Sequence, residues 1–171
     1  YKVIATQYAD TSFALRARFR QGNATFKALK YKDAAVVFGQ YLDDARADDP
    51  LRPEALYYKG VSHRMASETD ASIKTMRQLQ KEYPTVKGSL VPRALLQAAE
   101  AAIAADISTD AVRLLTDVIE KHPKSPEVAQ ALYRRIFCHL HFDNDVDEAQ
   151  KDAAIFFSKS QGDYARKFPE Y

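Results

Sequence analysis

Apolar residues along this chain recur every three and four positions, and prolines cut that pattern into blocks. Ala111, Leu114, Leu115, Val118 and Ile119 hold the i, i+3, i+4, i+7, i+8 spacing of one helix face. Ala34, Val37, Phe38, Tyr41 and Leu42 hold it too, and Ile73, Met76, Leu79 and Tyr83 follow it more loosely. No window alternates as a strand would. Six prolines fall in three clusters, Pro50/Pro53, Pro84/Pro92 and Pro123/Pro126. Proline stops one helix and opens the next, because its missing N–H and fixed φ suit only a first turn. The pattern predicts helix pairs within residues 12–46, 53–83, 92–122 and 126–158. Polar turns divide them at Lys30–Asp33, Ser67–Asp70, Asp106–Asp110 and Asp143–Asp147. Thr69, Ser108, Ser125 and Asp145 are the expected caps.

The blocks repeat. Gly22, Gly60, Ala99 and Phe137 are separated by 38, 39 and 38 residues. Twelve residues beyond each stand Ala34, Ser72, Ala111 and Ala149, and four further on Phe38, Met76, Leu115 and Ala153. Small residues at the first two positions let the helices of a hairpin approach where they cross. Phe137 breaks that rule and predicts a wider crossing in the last pair, or a terminal pair acting as a cap.

Gly22…Ala34…Phe38, Gly60…Ser72…Met76…Pro84 and Ala99…Ala111…Leu115…Pro123 resemble the tetratricopeptide repeat (TPR) over roughly residues 12 to 158. The resemblance implies an all-α, right-handed α-solenoid of antiparallel helix hairpins, about four repeats long. The period is longer than the common 34. The family's large aromatic near the start of the first helix is matched only by Tyr133; Arg18, Leu56 and Leu95 stand there elsewhere. The stretch His122-Pro-Lys-Ser-Pro-Glu-Val-Ala-Gln-Ala131 is similar to a variant common in bacterial cell-envelope proteins of the Tol-Pal coordinator and BAM-complex lipoprotein type. This implies a periplasmic or outer-membrane-associated setting rather than a cytoplasmic one. Val3-Ile-Ala-Thr-Gln-Tyr8 resembles Val118-Ile-Glu-Lys-His122 and reads as the end of an earlier repeat (residues 1–9), residues 161–168 as a capping helix, and the whole as a single array trimmed from a longer protein.

Composition narrows the function. Of 171 residues 27 are alanine and only five glycine, which favours helix. A net charge of +2 gives no support to nucleic-acid binding. Cys138 is the one cysteine, so neither an internal disulfide nor a cysteine metal site can form. The longest apolar run, Ala101 to Ala105, is far short of a membrane span. No nucleophile elbow, phosphate loop, dinucleotide fingerprint or His-Glu-x-x-His is present. His139 and His141 are two apart, so a helix points them in different directions. The Asp143-Asn-Asp-Val-Asp147 run has Glu148 where a calcium loop needs glycine and Ala154 where it needs glutamate. No metal, cofactor or catalytic residue is expected.

Charge is uneven: residues 1–32 carry seven basic side chains against Asp10, and residues 143–152 carry five acidic ones against Lys151. Under the TPR register, first helices line a concave wall. Its residues would be Arg16, Phe19, Asn23, Phe26 and Lys27, then Tyr57, Val61 and Arg64, then Arg93, Leu96, Glu100 and Ile103, then Arg134, Cys138 and His141. Phe19, Phe26 and Leu96 suit the core equally well. Of the carboxylate clamp found in chaperone-binding relatives only Asn23 is matched, and Phe19 replaces a needed lysine. The expectation is a non-enzymatic scaffold that binds a peptide or partner helix. Two alternatives remain: a regulatory or substrate-presenting region of a larger enzyme, and a self-assembling array joined through its oppositely charged ends.

Overall fold

The computed structural model describes residues 3, 12–86, 88–158, 164–167 and 169. Every described element is helical: α1 (Ser12–Lys27), α2 (Tyr31–Asp44), α3 (Arg52–Met65), α4 (Thr69–Glu82), α5 (Leu90–Ala104), α6 (Ser108–Lys121), α7 (Glu127–Cys138), a π-helical turn (His139–Asp143), α8 (Val146–Phe157) and α9 (Tyr164–Lys167). Except for helical Val3, the expected end of an earlier repeat lies outside the described residues, as do parts of the expected capping helix around α9.

The chain divides into two compact units after Ala94, within α5. In the first, α1 packs on α2, α2 on α3 and α3 on α4; in the second, α6 packs on α7, α7 on α8 and α9 on α8. The fold is all-α, with the consecutive helix packing of a TPR-like array.

Small residues sit where helices cross. A Cβ on Gly22 would lie 2.7 Å from Phe38 Cε1, and one on Gly60 would lie 2.6 Å from Met76 Cε. Ala99 and Ala111, at corresponding positions of α5 and α6, are fully buried. Phe38, Tyr41, Leu56, Met76 and Leu79 fill the first unit, and Leu95, Leu114, Leu115, Val118 and Leu132 the second, all without exposed surface. Each fully buried aliphatic side chain contributes about 1.5–3 kcal/mol over an exposed one. Ala45 is the C-cap of α2, donates its N–H to Tyr41 O and is buried at 7% exposure.

The turn inside each hairpin has one residue in the left-handed region: Leu29, Ser67, Asp106 and Asn144, with φ of 61°, 60°, 57° and 51°. They repeat with the sequence period. In the first three, the next N–H bonds a carbonyl five residues back: Lys30 to Thr25, Glu68 to His63 and Ile107 to Ala102. That is the Schellman closure of a helix end. Backbone bonds thus set these turns, and Thr69 and Ser108 open their helices one residue after the caps Glu68 and Ile107, which make no side-chain cap bond. Ser125 also does not cap α7, whose cap is Pro126. Asp145 does cap α8, accepting from Glu148 N at 3.1 Å.

The fourth hairpin departs from the others. Buried Val128, Ala129, Ala131, Leu132, Cys138 and His139 each stand 37 residues after buried Val91, Pro92, Ala94, Leu95, Ala101 and Ala102. The turn residues Asp106 and Asn144 are nevertheless 38 apart. One extra residue therefore enters between His139 and Asn144, and the π-helical turn absorbs it. Asp145 N accordingly bonds His139 O, six residues back instead of five. Ile136, not Phe137, holds the crossing register. Leu132 is the buried residue near the start of α7, while Tyr133 is 40% exposed.

Candidate protein-binding surfaces

In the first unit, α1 presents Arg16 to solvent, buries Phe19 and half-buries Asn23 and Phe26, while Lys27 is exposed. Phe19 meets Phe38 and Tyr41 edge-on at 5.8 and 5.5 Å, so most of its ring belongs to the core. Phe26 packs edge-on against Tyr31 and Tyr58 at 5.4 and 5.7 Å and ties α1 to α2 and α3. A cleft of about 610 Å³ opens beside α1, lined by Arg16, Arg20, Asn23, Phe19, Tyr41 and Asp49 among others. Three expected wall residues thus meet in one cavity.

The cleft also draws on residues the wall register leaves out. Arg20 lies one helical turn beyond Arg16 on the same face, a signal readable at i, i+4. Asp49 comes from the loop after α2. The Tyr41 hydroxyl donates to its Oδ1 at 2.6 Å, and Leu51 N–H donates to the same oxygen at 2.9 Å. Burial first, then that bond to the Asp49 carboxylate, pushes the Tyr41 phenol up and keeps it protonated. Arg52 fixes the same loop from α3. Its Nη1 donates to Leu42 O and Ala45 O, both at 2.7 Å, and its Nε donates to Tyr83 Oη at 3.1 Å. No periodicity announces these loop contacts.

On α3, Tyr57 is half-buried and meets Tyr58 edge-on at 5.5 Å, whereas Val61 is 8% exposed and belongs to the interior. Arg64 is half-buried, and its Nε is buried without a hydrogen-bond partner. Arg93 is exposed and donates to Ser89 Oγ at 3.1 Å.

In the second unit the wall register needs correction. Leu96 is 3% exposed and Cys138 is fully buried, so both are core. Burial pushes the Cys138 thiol up to about 11, which suits an inert packed residue. Arg134 Nε donates to Glu100 Oε1 at 2.7 Å, and the guanidinium lies 5.8 Å from the centre of the Tyr133 ring. Its charge is therefore already neutralised within the unit. His141 is exposed and stacks on Phe137 at 4.6 Å. Ile103 is half-buried. The extra residue in the π-helical turn explains the slip, since a constant period assigns Cys138 to a face it does not occupy.

Among the described residues no three His, Cys, Asp or Glu side chains gather in a metal-holding group. No described helix is long and apolar enough to cross a membrane. No curated relative matches the chain. A family model, YfiO, described as outer membrane lipoprotein, does match residues 49–170. That span runs from the loop before α3 through α9 and covers about half of the first unit and nearly all of the second. The chain therefore belongs to the YfiO family of outer membrane lipoproteins, which associates it with the cell envelope rather than the cytoplasm.

Proposed function

We propose that this chain is a non-enzymatic protein-binding scaffold of outer membrane assembly, and that the cleft beside α1 receives an extended segment of its partner. The cleft itself is the observation that carries this reading. Arg16 and Arg20 stand over an apolar floor made by the edge of Phe19, with the Asn23 amide beside them. Such a set fits a segment with an apolar anchor flanked by acidic side chains, which guanidinium groups hold by charge-assisted bonds. Asp49, from the loop after α2, accepts from the Tyr41 hydroxyl and Leu51 N–H and keeps its charge, so two guanidinium groups meet one carboxylate in the cleft and the balance is basic. Membership in an envelope family supports a partner from the same compartment.

A photo-crosslinking residue at Asn23 should capture a partner from envelope extracts of the native host. The same residue at Lys74, exposed on a second helix, should not. Arg16→Glu with Arg20→Glu should abolish capture at Asn23. Equal capture at both positions, or capture indifferent to the double reversal, would reject the cleft as the binding surface.

A further inference from the structure

We infer that the turn joining α1 to α2 docks on an anionic lipid surface, with Leu29 as the inserted side chain and Lys27, Lys30 and Lys32 as the headgroup contacts. The inference rests on a conflict between local rules. Leu29 adopts φ 61°, where a leucine is disfavoured, and it is 70% exposed. The three corresponding turn residues are Ser67, Asp106 and Asn144. All are polar, and Asn and Asp tolerate that conformation best. Neither backbone geometry nor core packing accounts for a leucine here, and a rule broken without a folding gain points to function.

The surroundings of Leu29 name its partner. Lys27, Lys30 and Lys32 are exposed, and among the described residues none of their three side chains makes an ion pair or hydrogen bond. Leu29, Lys30, Tyr31, Lys32, Asp33 and Ala66 line a shallow recess of about 400 Å³. Met65, just before Ala66, is 42% exposed, and Val36, one helical turn after Lys32, is 59% exposed. Asp33 is the acidic member of the set.

A single protruding apolar residue is a poor hold for a folded protein, whose stable interfaces bury about 800 Å² on each side. It suits a fluid interface that needs no shape complementarity. Lysines on flexible stems act as point charges toward mobile headgroups, each strengthening attachment to an anionic surface about fivefold. The outer membrane lipoprotein family supplies the nearby bilayer, yet the turn precedes the matched residues 49–170 and is a property of this chain. The inference does not depend on the cleft, which a different set of residues lines.

The test is sedimentation of the whole chain with phosphatidylglycerol–phosphatidylcholine vesicles, and with phosphatidylcholine vesicles alone. The chain should pellet with the first and not the second, and salt should weaken the binding. Leu29→Asn should lower vesicle affinity about tenfold while leaving the thermal midpoint equal or higher. Lys27→Glu, Lys30→Glu and Lys32→Glu together should lower it about a hundredfold or more. Asn144→Leu, in a turn flanked by Asp143 and Asp145, should add no binding. The inference is overturned if anionic vesicles leave the chain in solution, or if Leu29→Asn pellets like the parent. It is also overturned if Leu29→Asn lowers the midpoint, which would make Leu29 structural. Capture on polyglutamate without vesicle binding would assign the turn to an acidic protein and likewise overturn it.

Discussion

The first two hairpins and the fourth solve one packing problem by different chemistry. In the first unit, glycine lets α1 and α3 rest against Phe38 and Met76, and the polar contact at the second crossing is a neutral one, the buried Ser72 hydroxyl donating to Gly60 O at 3.0 Å. In the fourth hairpin, Arg135 on α7 donates to both carboxylate oxygens of Asp152 on α8, at 2.7 and 2.5 Å, and to Thr116 Oγ1 on α6 at 2.7 Å. Arg135 corresponds to Ala98 in the corrected register, so a charged fork stands where the third hairpin has a methyl group. Shape complementarity tolerates small volume changes, whereas a buried charge tolerates no loss of its partner. The second unit should therefore be the more fragile of the two toward polar substitutions, and the first toward added methyl groups.

The largest expected effect follows from that contrast. The side chains of Arg135 and Asp152 are 14% and 5% exposed. Arg135→Ala leaves the Asp152 carboxylate buried without its countercharge and should destabilise the second unit by about 3–5 kcal/mol. Replacing both, as Arg135→Met with Asp152→Leu, should recover much of that loss. Urea unfolding gives the energies, and Cys138 reports the location. Its buried thiol, pushed up to about 11, should react with iodoacetamide only when the second unit opens. If Arg135→Ala and the double replacement are equally destabilised, the pair is not coupled and the comparison fails.

Added methyl groups should cost less and should separate the glycines from each other. Gly22→Ala pushes a methyl against the ring of Phe38, which is rigid and held by Phe19 and Tyr58. An overpacking cost of about 1–3 kcal/mol is expected. Gly60→Ala meets the flexible end of Met76, which can swing away. The gain in helix propensity, about 1 kcal/mol, should leave that variant near neutral. Ala111→Leu, in the fully buried crossing of the third hairpin, should resemble Gly22→Ala, with exposed Ala104→Leu as its control. Equal denaturation midpoints for Gly22→Ala and Gly60→Ala would show that side-chain rigidity does not decide the crossing.

These cases also show what could be read from the chain. The period was legible because Gly22, Gly60 and Ala99 recur together with Ala34, Ser72 and Ala111 twelve residues on and Phe38, Met76 and Leu115 four beyond those. Phe137 was misplaced because a fixed period has no room for one inserted residue, and a π-helical turn carries no composition of its own. Thr69 and Ser108 looked like caps because their side chains suit that role, yet Schellman bonds had already closed those turns. Asp145 follows the one turn with a longer closure, and there the side chain does cap. In the cleft, Arg16, Phe19 and Asn23 followed from the register that the tetratricopeptide resemblance implies. Asp49 and Tyr41 did not, because a loop contact set by one hydroxyl leaves no trace in periodicity.

The smallest expected effect compares the two helix ends at Tyr83 and His122, which are 39 residues apart and share nearly the same cap geometry, φ −132° and ψ 54° against φ −129° and ψ 48°. Tyr83 uses its hydroxyl, accepting from Arg52 and donating to Ala47 O at 3.3 Å. His122 presents an imidazole to the same kind of position, and burial lowers its pKa, with Asp117 opposing that shift. A lowered folded-state value means that the unfolded chain binds the proton more readily. The contribution of this residue is therefore complete above the unfolded value of about 6.5 and is lost as pH falls through it toward the lower folded value. Over that interval the second unit should lose a little stability at this position while the first, with a phenol, should not. His122→Tyr should flatten that part of the profile and leave the rest unchanged. Urea midpoints of parent and variant, measured from pH 7.5 down to about pH 5, give the difference directly. If the parent instead gains stability relative to His122→Tyr on acidification, the carboxylate of Asp117 outweighs burial, and the imidazole is held as a cation at this helix end.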